Sequence, residues 1–86
     1  MTTYQVSSQT SVNKLAGAIS HTIQADNPIK LQAVGAASIN QAIKSVAVAR
    51  LMVEEREVDL FVIPAFSQIT IDEQPRTMIE LTIHER

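Results

Sequence analysis

The stretch "VGAAS", Val34 to Ser38, joins an alternating apolar segment to a helical one. A glycine at such a junction can bring backbone amides and a helix start against an anion. There is one glycine here, with no Walker lysine and no second or third glycine, so the nucleotide-binding fingerprints are absent. Ser38 also begins S-x-x-Q, and Gln41 can close a capping box onto it. Lys44 follows beside Asn40 and Gln41, which suits either a solvated surface or a polar, ligand-facing one. The imidazoles are His21 and His84, on different elements, with no cysteine and no metal-ligand spacing. No serine sits in a nucleophile-elbow context. Glu54, Glu55, Glu57 and Asp59 cluster at a helix end, where acids oppose the dipole and read as a solvated connector. No catalytic residue, metal ligand or cofactor is expected, and the chain reads as a non-enzyme.

These residues need elements to place them. "TYQVS" alternates Tyr4 and Val6 against Gln5 and Ser7, as a half-buried strand does. Val12, Leu15, Ala16, Ile19 and Ile23 fall at helical spacing, with Ser11 as N-cap. Gly17 lies on that helix beside Asn13, His21 and Gln24, where a missing side chain suggests close packing against the second helix. "ADNP" ends the helix, because the residue before proline leaves the helical region. "IKLQAV" alternates again. The second helix is expected from about Ser38 to Val53, with Ile39, Ala42, Ile43, Val46, Ala49 and Val53 as its core stripe. Ala47, Val48, Leu51 and Met52 lie off that stripe, so a neighbouring helix or a second copy of the chain must cover them. "VDLFVIPAFSQITI" reads as a long strand, "DEQPR" as a turn, and "TMIELTIHE" as a strand alternating Ile79, Leu81 and Ile83 with Glu80, Thr82 and His84.

The order is β-α-β-α-β-β. Its clean alternation predicts one buried sheet face with both helices on it, a two-layer α/β sandwich. Pro64 cannot donate to a ladder, so the third strand is an edge or is bulged there. With 86 residues the chain is a single domain, 1–86. It has no apolar run of membrane-spanning length and no signal-peptide pattern, and a cytoplasmic location is expected. Net charge is −2, divided unevenly. Residues 1–50 hold Lys14, Lys30, Lys44 and Arg50 against Asp26, a balance of +3, and the remaining residues balance to −5. A polyanion would be met by local charge in the first half.

The run "GAASINQAIKSVAVAR", then "VDLFVIPAF", then "DEQPRT", resembles the stage V sporulation protein S family, and "NKLAGAI" fits the same pattern. That family looks like the Alba superfamily of small nucleic-acid-binding proteins. The resemblance implies a four-stranded mixed sheet in order 1-2-4-3 with two helices on one face. It also implies a regulatory role in bacterial development, binding to DNA or RNA, and a homodimer. Contacts are implied at the loop into the first helix, the start of the second, and the last hairpin. Carried onto this chain, those regions offer Asn13 and Lys14, then Asn40, Gln41 and Lys44, then Arg76. Phe66 becomes a dimer contact, together with Val48 and Leu51 on the second helix. Two departures stand out. The loop "SSQTSVNK" carries little basic charge, and Leu51 replaces the family's glycine after "AR", so the second helix is expected to run on toward Glu54 and Glu55. The hairpin "DEQPR" reads as a short, mostly acidic arm, and no aromatic stacking platform is visible.

Two readings follow. In the first, the chain is a nucleic-acid-binding regulator that uses Lys14, Lys44 and Arg76 for phosphate, with Asn13, Asn40 and Gln41 as hydrogen-bond donors. In the second, the chain is a protein-interaction or oligomerisation module on the same scaffold. Neither involves a membrane or a small-molecule substrate.

Overall fold

The computed structural model describes all 86 residues. Strand β1 (Thr2–Val6) leads to helix α1 (Val12–Thr22), strand β2 (Ile29–Ala33) and helix α2 (Ala36–Met52). A short 3-10 turn (Glu54–Arg56) then precedes strands β3 (Leu60–Ile71) and β4 (Gln74–Glu85). The sheet order is β1-β2-β4-β3. β1 and β2 are parallel, and β4 is antiparallel to both β2 and β3. This is the expected layout.

The alternation in β2 seals Ile29, Leu31 and Ala33 completely, and Leu81 and Ile83 oppose them from β4. Leu15, Ala16, Ile19 and Ile23 of α1 and Ala42, Val46, Ala49 and Val53 of α2 complete one core cluster. α1 starts where Ser11 predicts: its hydroxyl accepts from the Lys14 amide at 3.3 Å. It ends before Asn27-Pro28, and the Arg56 guanidinium donates to the Ser20 carbonyl in its last turn, satisfying one orphan acceptor.

Three expectations are corrected. The start of α2 is not capped by Ser38. The cap position is Gly35, at φ 89° and ψ 157°, a conformation nearly closed to other residues, and no side chain bonds the first turn. Ser38 is buried inside that turn, and the Gln41 amide donates to the Thr10 carbonyl at 2.9 Å. The core stripe of α2 is also rotated. Ile43 is 45% exposed, while Ser45 is fully buried, its hydroxyl donating to the Gln41 carbonyl at 2.8 Å. Small residues therefore face inward, and a bulky one faces out.

Gly17 is the third correction. A methyl group there would meet nothing within 4 Å, so no close approach of α2 requires the glycine. Gly17→Ala is accordingly expected to stabilise the protein by about 1 kcal/mol through helix propensity. Thermal unfolding should rise by about 4–8 °C for a domain of this size. A fall in the melting temperature would show that the glycine does structural work hidden from the geometry.

Strands β3 and β4 form a far longer hairpin than the sequence suggests. Each has 12 residues, and the turn is Asp72-Glu73 alone, both at positive φ (51° and 61°). That is the geometry of a two-residue type I′ turn. Asp59 and Arg86 exchange both backbone hydrogen bonds, which sets the phase of the ladder. Phe61, Ile63, Ala65, Ser67 and Ile69 then bond inward to β4, while Leu60, Val62, Pro64, Phe66, Gln68 and Thr70 point their amides to the free edge. Pro64 falls in the second set, so it removes no ladder bond and interrupts the open edge of the sheet at its middle. Pro75, opposite Thr70, faces away from β3 beyond the end of β2, where it costs nothing either.

The hairpin base is clasped by charge. Asp59 accepts from Arg50 at 2.8 Å and from Arg86 at 3.3 Å. Arg50 first, then Arg86, holds the Asp59 carboxyl below its ordinary value. A folded-state pKa lowered in this way stabilises the protein above the ordinary aspartate range, and the gain is lost as pH falls through the lowered value. Asp59→Asn should flatten the acid limb of a stability-against-pH curve and leave the neutral limb unsloped. Parallel acid limbs for the two proteins would mean the clasp contributes nothing; exposure of all three groups keeps the effect small.

Candidate nucleic-acid interface

The topology gathers most of the candidate residues at one end. β1 and β2 are parallel, so the two helices that follow them both start beyond the same ends of those strands. The Gln41–Thr10 bond ties the first half of α2 to the loop entering α1. Asn13 and Lys14 lie in the first turn of α1, and Asn40, Gln41 and Lys44 lie in the first half of α2. The arm projects in the same direction. The last residue pair of β2 with β4 is Ala33 with Ile79, so Gln74–Met78 run past it by five residues, about 17 Å. Arg76 is on this projection, opposite Ile69.

Arg76 shares that end of the molecule but not the helical face. It has the alternation phase of Met78 and Glu80, on the sheet side away from the helices. Gln41 is half-buried with its amide nitrogen already committed, whereas Asn13, Lys14, Asn40, Lys44 and Arg76 are exposed.

The remaining cations are engaged elsewhere. Lys30 pairs with Glu80 at 3.7 Å, and Gln32 donates to the same carboxylate at 2.9 Å. Arg50 and Arg86 clasp Asp59, and Arg56 closes the end of α1. Of the chain's seven lysines and arginines, Lys14, Lys44 and Arg76 are the three whose side chains make no ion pair or hydrogen bond. A cation with no internal partner is free to neutralise a phosphate without breaking anything in the fold.

An aromatic feature escaped the sequence reading. Phe61 stacks on His84 across β3 and β4 with ring centroids 5.2 Å apart, and the Arg86 guanidinium lies 4.7 Å from the Phe61 centroid. Its signal was the strand register, which composition does not reveal. The stack closes on itself at the hairpin base, far from the free cations.

The dimer candidates divide differently. Val48 is half-buried against the core cluster. Leu51 is 69% exposed and Phe66 80% exposed. Ile43 and Ala47 of α2, with Val62 of β3, line a depression of about 370 Å³ between the helix and the edge strand. Pro64, Phe66 and Ile79 continue the apolar surface toward the arm, while at the other end Leu51 shares a recess with Arg50, Glu54 and Asp59, and Arg50, Asp59 and Arg86 also line the depression. The glycine replacement at Leu51 acts as expected: α2 passes through Val53 into the 3-10 turn, and the left-handed residue comes only at Glu57, φ 57°.

No group of histidine, cysteine or carboxylate residues could hold a metal ion, and no helix is long and apolar enough to cross a membrane.

A four-stranded sheet ordered β1-β2-β4-β3, two helices on one face and a projecting terminal hairpin make this a small two-layer α/β domain of the Alba-like layout. Its free cations are Lys14 in the first turn of α1, Lys44 at the middle of α2 and Arg76 on the arm. The family model for stage V sporulation protein S matches residues 2–86, essentially the whole chain. The chain belongs to that family, and membership supports a role connected with sporulation.

Proposed function

We propose that this protein is a nucleic-acid-binding regulator that acts in sporulation as a homodimer. The observation that carries the reading is the set of free cations: of the three that the fold does not use, Lys14 and Arg76 lie at the end where both helices begin and the arm projects, and Lys44 lies at the middle of α2. Lys14 and Lys44 meet phosphates from the helical face. Asn13 and Asn40, exposed and without side-chain partners, donate to backbone or sugar oxygens. Arg76 reaches along the duplex or strand from the arm. Asp72 and Glu73 at the arm tip repel phosphate and limit how deeply the arm engages.

The dimer supplies what one chain lacks. Two or three cations on one protomer bind a polyanion weakly, and a two-fold pair doubles the count on one surface. The groove from Leu51 through Ile43 and Val62 to Phe66 is the pairing surface.

Fluorescence anisotropy of labelled duplex DNA and single-stranded RNA, at about 20 mM and about 150 mM salt, tests the reading. Binding that weakens steeply with salt supports it. No binding at the lower salt removes it in favour of a protein-interaction module on the same scaffold.

A further inference from the structure

The arm leaves one strand edge open. β4 has β2 beside it only as far as the Ala33–Ile79 pair, and β3 has β4 as its only neighbour. On the β4 side, Pro75 removes one of the outward amides beyond β2, and Thr77 keeps the other. On the β3 side, Phe66, Gln68 and Thr70 turn both amide and carbonyl outward, and all three residues are exposed. Pro64 closes this row at one end, and the Asp72-Glu73 turn closes it at the other. The open window is Phe66–Thr70, with Gln68 at its centre.

An unpaired row of this kind is a template for another strand, and proteins blunt such edges with charge or proline. β3 has its one proline but no charged residue from Leu60 to Ile71. The window also matches itself. Laid antiparallel to a copy of itself about a two-fold axis at Gln68, it sets Phe66 against Thr70, Gln68 against Gln68, and Thr70 against Phe66. Each of these positions turns both of its backbone groups outward, so each pair exchanges two hydrogen bonds. The side chains suit the same register. Phe66 comes beside the β-branched Thr70 on one face, and Ile69 comes beside Ser67 on the other; aromatic and β-branched neighbours favour cross-strand pairing.

Charge does not oppose the contact. Each acidic turn begins four residues from the axis, about 14 Å, so the two turns point in opposite directions and lie about 27 Å apart. Arg76 is on the outer strand of each arm, and three strand spacings, about 14 Å, separate it from its copy. Both distances exceed the screening length of about 10 Å at 0.1 M salt. A register shifted toward the hairpin base would press the Pro64 ring onto the second strand, where it has no amide to give. Pro64 therefore confines the contact to the arm.

We propose that two copies of this protein pair through their arms, β3 against β3, antiparallel over Phe66–Thr70 with Gln68 on the axis. The contact is made by backbone, whereas the pairing across the groove between α2 and β3 is made by side chains. It depends neither on that pairing nor on nucleic acid. Three residue pairs stand against the full cost of association, so the contact fills at about 0.1–1 mM and not at micromolar concentration.

The protein has no cysteine, so Gln68→Cys introduces a single thiol. Opposed residues of a bonded antiparallel pair have Cα atoms about 5.5 Å apart, within disulfide reach. At about 0.2 mM protein with oxidised glutathione, Gln68→Cys is expected to form covalent dimers at least about 10-fold faster than Gln9→Cys, a substitution in an exposed loop. Adding Thr70→Pro to Gln68→Cys should return the rate to that of the control. Proline there removes an amide that faces the second copy and, as at Pro64, none that bonds to β4. The unaltered protein gives an independent reading. Deuterium exchange at the Gln68 and Thr70 amides should slow as protein concentration rises from about 0.02 to about 1 mM, while the Thr77 amide on the opposite edge should not change. The proposal is overturned if Gln68→Cys cross-links no faster than Gln9→Cys, if Thr70→Pro leaves the fast rate in place, or if exchange at Gln68 and Thr70 is independent of concentration.

Discussion

Reversing the charge of Lys14 and Lys44 together is expected to abolish retention of this protein on DNA or RNA at low salt. Neither side chain is held by the fold, so the double variant Lys14→Glu, Lys44→Glu should unfold at nearly the wild-type temperature. Surface changes away from structural partners usually stay within about 0.5 kcal/mol. The effect on binding is much larger. In a dimer these residues contribute four cations, and each phosphate neutralised adds about 0.9 to the slope of log affinity against log salt. With the two Arg76 side chains the dimer presents six, so the wild type should lose affinity about 10⁴- to 10⁵-fold between about 20 and about 150 mM salt. The variant removes those four contacts, adds like charges in their place and leaves only Arg76, so its residual binding should be weak, with a salt slope no steeper than about 2. Lys30→Glu is the matched control, because Lys30 is engaged with Glu80 on the other sheet face. Wild-type affinity and slope in the double variant would refute the assignment of the surface. A loss of equal size in the control would mean that net charge, not position, governs binding.

Most of the fold was legible because its strands obey one period. Ile29, Leu31 and Ala33 alternate with Lys30 and Gln32, and the structure seals the first set and leaves the second partly open. Ser11 and Pro64 were equally readable, since an N-cap hydroxyl and a proline without an amide each have a narrow range of uses. The errors cluster where tertiary packing overrides a local preference. Apolarity ranks Ile43 above Ser45 for the core, yet α2 packs through its smallest side chains, and the buried hydroxyl of Ser45 is satisfied within its own helix. S-x-x-Q signals a cap, but Gly35 adopts a backbone that starts the helix three residues earlier and leaves Ser38 inside. "DEQPR" reads as a loop because it is polar and contains proline. Only the ladder phase, set by distant Asp59 and Arg86, shows that Pro75 donates to nothing in a regular strand. The candidate site was legible as a set of residues and not as a place. Which cations are free depends on where Glu80, Asp59 and the Ser20 carbonyl fall, and sequence spacing carries none of that.

Phe66→Asp is expected to convert the proposed dimer to a monomer at micromolar concentration without harming the fold. Phe66 is 80% exposed in the single chain, so the monomer gains nothing from its burial. A stable interface takes about 800 Å² from each partner, roughly 15% of the 5448 Å² surface here. Ile43, Val62 and Phe66 are the apolar part of the groove between α2 and β3, and the Arg50–Asp59–Arg86 clasp lines it toward Leu51. Burying one phenylalanine contributes about 1.5–3 kcal/mol. A two-fold interface uses each residue twice, so loss of both rings costs about 3–6 kcal/mol, roughly 10²- to 10⁴-fold in dimer affinity. Two buried, unpaired carboxylates make the cost larger. Pro64 sharpens the geometry. It breaks the row of edge amides beside Phe66, so the partner packs on side chains instead of extending the sheet through β3. Sedimentation equilibrium reads the outcome directly. The same variant should also bind nucleic acid with about half the wild-type salt slope, because each monomer presents half the cations. A wild-type protein that sediments as a monomer would overturn the dimer, and a Phe66→Asp protein that stays paired would place the interface elsewhere. A monomeric variant with an unchanged salt slope would separate pairing from binding and leave one chain's cations to carry the whole affinity.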